Sequence, residues 1–174
     1  MAIATAPRTF KTAAARTFKT SIDIAEKQRA AIIALLNARL ADALDLKTQA
    51  KQAHWNVKGP EFQQLHLLFD QVAANLEAHA DLIAERVTAL GGTANGTTRL
   101  VAAATSLKEY DLEAVAGEEH VRALAGQLAR VAAAVRAAID ESSRLGDQST
   151  ADVFTEVSRA TDKDLWFLEA HLQA

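Results

Sequence analysis

The sequence predicts an all-α domain, a bundle of four long helices with an extended crossover between the second and third. Three observations carry this. Apolar residues recur three and four apart along four long stretches. Only two prolines and seven glycines interrupt a chain of 174 residues. The breaks between stretches run short, long, short, which fixes the order in which neighbouring helices reverse. Much of the 49% apolar content is alanine, and aromatics make up only 5%, a profile suited to a soluble helical domain. No run of about 18 apolar residues is present to span a membrane.

The first helix is expected to start at Ser21 or Asp23, either of which can cap it. It carries Ile33, Leu36, Leu40 and Leu44 in register and runs to the Gly59-Pro60 break. The second begins after Pro60, a residue suited to a first helical turn. Leu65, Phe69, Val72, Leu76, Ile83, Val87 and Leu90 line it, and Gly91-Gly92 stops it. Residues 91–116 are less regular, with room for one short helix near 98–104. The third long helix carries Val121, Leu124, Leu128, Val131, Val135 and Ile139. After Leu145-Gly146 a fourth runs to the end with Phe154, Val157, Leu165, Leu168 and Leu172. Two tight turns around one long middle connection make the ferritin-like arrangement.

Charge divides the chain in two. Residues 1–21 form a basic arm, expected to be flexible, and 22–174 the bundle. The arm holds Arg8, Lys11, Arg16 and Lys19 with no acid, and repeats RTFKT at 8–12 and 16–20. Four of the nineteen basic side chains lie there, leaving fifteen against twenty-two acids, so the bundle is acidic. The absence of cysteine excludes disulfides, thiolate metal sites and a cysteine nucleophile. No apolar stretch near the start reads as a secretory signal.

The chemistry gathers around HWNVKGPEFQQLHLLFD at 54–70 and along the second helix. His66 and Asp70 are four apart, as are Asp81 and Glu85. At about 100° per residue they fall near 0°, 40°, 60° and 100°, one stripe turned away from the helix's apolar face. Such a stripe is either a solvated face or a ligand set. As ligands, the two pairs are separated by roughly 22 Å of helix, while a ligand bond to a divalent metal is only about 2 Å. One chain cannot close them on one ion. Two copies crossing antiparallel about an axis near Asn75 and Leu76 would bring one copy's His66 and Asp70 beside the other's Asp81 and Glu85, twice per pair. His54, folded back across the Lys-Gly-Pro turn, would join His66. Imidazole and carboxylate without thiolate suit iron, manganese or zinc. No glutamate has a histidine three residues later, so an inward-facing di-iron centre of the Glu-x-x-His kind is not expected.

These residues carry a resemblance. HWNVKGPEFQQLHLLFD, with DLIAER at 81–86 and DKDLWFLEAHLQ at 162–173, resembles the Dps proteins (DNA-binding proteins from starved cells), and the likeness extends from about residue 22 onward. It implies a hollow homo-dodecamer in the cytoplasm that oxidises Fe(II), preferably with hydrogen peroxide, and stores the ferric mineral inside. It implies two intersubunit iron centres per dimer, with His54, His66 and Asp70 from one chain and Asp81 and Glu85 from the next. Zinc or manganese can take the same donors. Trp55 would lie beside the centre, as a sink for stray oxidising equivalents or as a packing aromatic. Asp140, Asp147 and Asp152 are candidates for the pores through which iron passes.

The arm has three readings: a transit peptide, a solvating tail, or a DNA-binding segment whose four cations repeat over twelve subunits. Non-specific phosphate contact would carry the last, and would associate the protein with the nucleoid. A nucleoid-compacting protein whose metal site is secondary is the alternative function, and a helical assembly protein without chemistry a third. His79 falls on the apolar stripe and is expected in a core or interface. His120 and His171 show no partner pattern, and Trp166 is expected to pack.

Overall fold

The computed structural model describes residues 16–173. Its helices are α1 (Glu26–Asn56), α2 (Phe62–Ala89), α3 (Thr98–Ala104), α4 (Gly117–Arg144) and α5 (Gln148–Ala170). Helix α1 packs chiefly on α2 and α4 chiefly on α5. Contacts of α1 with α4 and of α2 with α5 close the bundle. The short α3 lies against α1 within the crossover. The four-helix order and the crossover helix are those expected.

Each boundary has a local cause. After α1 the chain turns at Gly59, whose φ of 114° L side chains rarely adopt. The turn closes when the Phe62 N–H donates to the Gly59 carbonyl at 3.1 Å. At the end of α2, Gly91 takes φ 80°, and the Gly91 and Gly92 N–H groups cap the Thr88 and Val87 carbonyls at 2.9 Å each. A Cβ on Gly91 would stand 2.3 Å from the Phe18 carbonyl oxygen, so close approach and backbone conformation both demand glycine.

That approach explains where the start of α1 departs from expectation. Neither Ser21 nor Asp23 caps it; the helix starts at Glu26 behind Ala25, with no side-chain cap. Residues 16–24 run over the bundle instead. The Phe18 N–H donates to the Gly91 carbonyl at 2.7 Å, and Thr93 Oγ1 donates to the Arg16 carbonyl at 2.8 Å. Ile22 and Ile24 pack on the core in alternation with exposed Ser21, Asp23 and Ala25. Alternation of period two belongs to extended chain, and it outweighs the capping residues.

The core is a column of Leu36, Leu40, Leu46, Phe69, Leu76, Ile83, Leu124, Leu128 and Phe154, each at most 2% exposed. On α1 the inner positions are Ile32, Ala43, Ala50 and Ala53; the expected Ile33 and Leu44 lie at the rim, as do Ile139, Leu165 and Leu172.

Polar side chains hold the crossover. Asp42 accepts from the Ser106 N–H at 2.8 Å and its hydroxyl at 2.9 Å. Thr105 donates to Asp45 at 2.7 Å. Gln49 and Gln127 both donate to the Lys108 carbonyl, at 3.1 and 3.0 Å. The Lys58 N–H donates to the Val115 carbonyl at 3.0 Å, tying the α1–α2 turn to the entrance of α4. At the start of α5, Asp147 caps the helix by accepting from the Thr150 N–H at 2.9 Å and from its hydroxyl. The Arg86 guanidinium grips both Asp147 oxygens at 2.7 and 2.8 Å. Burial by itself would raise the Asp147 carboxyl, but Arg86 and Thr150 outweigh it and hold it below the ordinary aspartate range.

Candidate metal centre

The turn at 57–61 brings the end of α1 against the start of α2 and stacks two imidazoles. The His54 and His66 rings are 3.7 Å apart between centroids and inclined by 20°. Each is fixed by the other's backbone: His54 Nδ1 lies 2.7 Å from the His66 carbonyl, and His66 Nδ1 lies 2.8 Å from the His54 carbonyl. A carbonyl oxygen can only accept, so both protons sit on Nδ1. Both Nε2 atoms are left as free donors, one geometry by which protein backbones orient metal-ligating histidines. Phe62 supports the pair from the side, 5.1 Å from the His66 ring.

Asp70 is exposed one turn beyond His66 and carries a cation from α1, Lys51 Nζ at 2.6 Å from Oδ1. That hydrogen bond, above all, lowers its pKa; desolvation opposes it, and the charges of Lys51, His54 and His66 add to the lowering. The same ammonium lies 5.7 Å from the Trp55 ring centroid. Trp55 is 63% exposed beside the pair.

Asp81 and Glu85 lie one turn apart further along α2, both exposed. Neither forms an ion pair among the described residues. No three His, Asp or Glu side chains of the described residues gather closely enough to hold a metal: Asp81 and Glu85 lie further along α2, and Asp70, expected beside His54 and His66, is held by Lys51 instead. One chain thus brings two histidines together with an exposed carboxylate one turn on, and holds a separate pair of exposed carboxylates further along α2.

Of the expected pore residues, Asp140 and Asp152 are exposed. Asp147 corrects the expectation: at 2% exposure, with both oxygens taken by Arg86 and Thr150, it serves the fold and presents nothing to a channel. Arg16 and Lys19 are exposed, whereas Arg8 and Lys11 lie outside the described residues. His79 is buried, where burial lowers its pKa against a nearby Glu156 charge. His171 is exposed at the end of α5. Trp166, expected to pack, is 60% exposed on the outer face of α5.

Besides Arg86–Asp147, sequence reasoning missed three pairings. Lys51–Asp70 had a signal: Lys51 precedes His54 by three residues and shares its helix face. Asn75 donates to both oxygens of Asp164 at 2.8 and 3.1 Å, and burial pushes that carboxyl up to about 6. The Tyr110–His120 contact joins the crossover to α4 and left no periodic trace.

A family model, the ferritin-like domain, matches residues 33–174. The DNA protection during starvation protein of Agrobacterium fabrum (strain C58 / ATCC 33970) is 46% identical over 158 residues, covering 91% of this chain and 98% of that protein. The protein of the same name from Brevibacillus brevis is 32% identical over 146 residues, covering 82% and 95%. Among solved structures, DpsA14 from Streptomyces coelicolor superposes with a TM-score of 0.87 at 31% identity over 93% of this chain and 96% of that one. Dps from Microbacterium arborescens in the high iron form superposes with a TM-score of 0.81 at 30% identity, over 90% and 100%.

Proposed function

Because the chain belongs to the ferritin-like proteins and, among them, to the Dps proteins, we propose that it sequesters iron by oxidising Fe(II) and thereby protects DNA. The oxidation takes place at two equivalent centres per dimer of chains, with hydrogen peroxide the preferred oxidant, and the ferric product is stored inside a shell of twelve. The observation that carries this reading is the reciprocal locking of His54 and His66, which leaves two Nε2 donors side by side.

The donors suit Fe(II) as substrate. His54 and His66 supply imidazole nitrogen, which favours the ferrous ion, and the Asp70 carboxylate adds charge once Lys51 releases it. Asp81 and Glu85 of a second copy close the site from across the interface, and their hard oxygens favour the ferric product. Two Fe(II) ions give two electrons to one peroxide, and with two waters yield two FeO(OH) and four protons. Both ingredients of hydroxyl-radical chemistry are consumed together. Zinc and manganese compete for the same donors. The relatives named for DNA protection during starvation and the Microbacterium structure in its high iron form accord with this reading.

Fe(II) oxidation by stoichiometric peroxide, followed by absorbance, tests it on the wild type and on Asp81→Ala/Glu85→Ala shells of equal size. Loss of ligand carboxylates is expected to slow the reaction by about 100-fold, the upper end of what disturbing a metal site's supporting groups costs. Equal rates in both would return the stripe to a solvated face.

Non-specific DNA binding through the basic arm is the second part of the proposal, and places the protein on the nucleoid in the cytoplasm. It is favoured by the exposure of Arg16 and Lys19 over a backbone pinned to the 89–93 turn. The acidic bundle repels phosphate, so attraction rests on the arm. Deleting residues 1–20 is expected to abolish a gel shift at low salt. Undiminished retention of DNA would exclude the arm.

A further inference from the structure

Two buried carboxamides lack a partner for their oxygens. Gln49 of α1 and Gln127 of α4 are 5% and 8% exposed. Each donates from Nε2 to the same acceptor, the Lys108 carbonyl of the crossover, at 3.1 and 3.0 Å. Gln49 Nε2 also donates to Asp45 Oδ1 at 3.2 Å. A carbonyl oxygen can only accept, so neither amide can be turned over, and each Oε1 is directed away from that carbonyl. Both oxygens are buried with no hydrogen-bond donor. A buried acceptor left unpaired is costly, and a native fold keeps few of them.

The two residues line one cleft of about 450 Å³ between α1, the crossover and α4. Its rim carries the exposed carboxylates Glu109, Asp111 and Glu119. Neither Glu109 nor Asp111 forms an ion pair among the described residues. Asp111 Oδ1 accepts the Glu113 N–H at 3.0 Å, which leaves its other oxygen open. Glu119 Oε2 is engaged by the Val115 and Ala116 N–H groups at 2.8 Å each, so that residue adds charge more than ligation. Two cations also border the cleft. Arg122 is held by Glu118 at 2.9 Å, and Lys108 alone is left to oppose the three carboxylates.

We propose that this cleft binds a hard divalent cation, calcium by its chemistry, with the Gln49 and Gln127 amide oxygens as neutral ligands and Glu109 and Asp111 supplying charge. Calcium takes about six to eight oxygens in irregular arrangements, amide carbonyls among them, and water completes the set; magnesium demands a near-ideal octahedron. No imidazole lines the cleft, so the donors differ from those of the His54–His66 pair and favour a hard ion over Fe(II). Two carboxylates make a weak site, with a Kd on the order of 10⁻⁴–10⁻³ M. The ion ties three elements together. The amide nitrogens already hold the crossover backbone at Lys108, and the ion on the amide oxygens holds the side chains that follow it.

Chelator-treated, assembled protein is titrated with calcium chloride by calorimetry, and amide hydrogen exchange is compared with and without saturating calcium. The wild type is expected to bind one calcium per chain, with exchange slowed across residues 105–112. Glu109→Gln/Asp111→Asn changes only exposed positions and is expected to weaken binding by about tenfold or more, because ligand charge sets calcium affinity. Gln127→Leu removes one buried oxygen and is expected to weaken it likewise. That variant also loses a donor to Lys108, so circular dichroism checks its fold, and the exposed pair decides the matter if it unfolds. His54→Ala/His66→Ala is expected to bind calcium as the wild type does, which keeps this site apart from the iron reading. Absence of calcium binding in the wild type, or exchange slowed only outside the crossover, would overturn the proposal. So would binding undiminished in Glu109→Gln/Asp111→Asn, or binding lost with the two histidines.

Discussion

Replacing Asp147 by alanine is expected to destabilise the protein by about 3–5 kcal/mol, the cost of breaking a buried ion pair by removing one partner. The Arg86 guanidinium would be left half-buried without its carboxylate, the Thr150 N–H and hydroxyl would lose their acceptor, and α5 would lose its cap. Helix capping by itself is worth about 1 kcal/mol, so the ion pair dominates. Asp152→Ala on the same helix, at an exposed position, serves as control and should change stability by no more than about 0.5 kcal/mol. The pH dependence follows from the lowered Asp147 pKa. The stabilisation is complete above the ordinary aspartate value and is lost as pH falls through the depressed one. Denaturant midpoints taken at neutral pH and again under acid should therefore converge for wild type and variant. A neutral-pH difference below about 1 kcal/mol would mean that the pair contributes little beyond capping.

His54→Ala and His66→Ala are each expected to weaken iron binding and slow its oxidation by about 10- to 100-fold while leaving the fold intact. The two effects separate because the rings are half-exposed and are held by backbone carbonyls. Removing one ring leaves the carbonyl that orients the other. The stacked pair itself is worth only about 0.5–1.5 kcal/mol. Isothermal titration with Zn(II), together with a thermal melt, checks both halves. Unchanged metal affinity in either variant would remove that histidine from the site.

Much of this could be read from the chain because helices write their geometry into sequence at fixed intervals. The α2 stripe, the Gly59 and Gly91-Gly92 breaks and the short helix at 98–104 all follow from spacing of three or four residues and from backbone conformations reserved for glycine. The start of α1 did not follow. Ser21 and Asp23 are good caps, but Ile22 and Ile24 bury more as extended chain beside the Gly91 turn. Asp147 reads as a pore candidate because its partner Arg86 is sixty-one residues away, and Tyr110–His120 sits in a segment with no period at all. Long-range polar pairs are specified by tertiary packing, which leaves no local signal. The proposed metal donors show the converse. All five stand out in the sequence, yet only His54 and His66 meet within one chain.

Convergence of the five donors between two copies is the central claim, and co-expression tests it most directly. Chains carrying Asp81→Ala/Glu85→Ala keep an intact histidine half-site, and chains carrying His54→Ala/His66→Ala keep intact carboxylates. If each centre draws its halves from two copies, either variant assembled alone should be inactive. Random mixed shells should then regain about a quarter of the wild-type rate of peroxide-driven Fe(II) oxidation, because a mixed twofold pair rebuilds one of its two sites. Mixed shells no more active than their parents would contradict a centre shared across the interface.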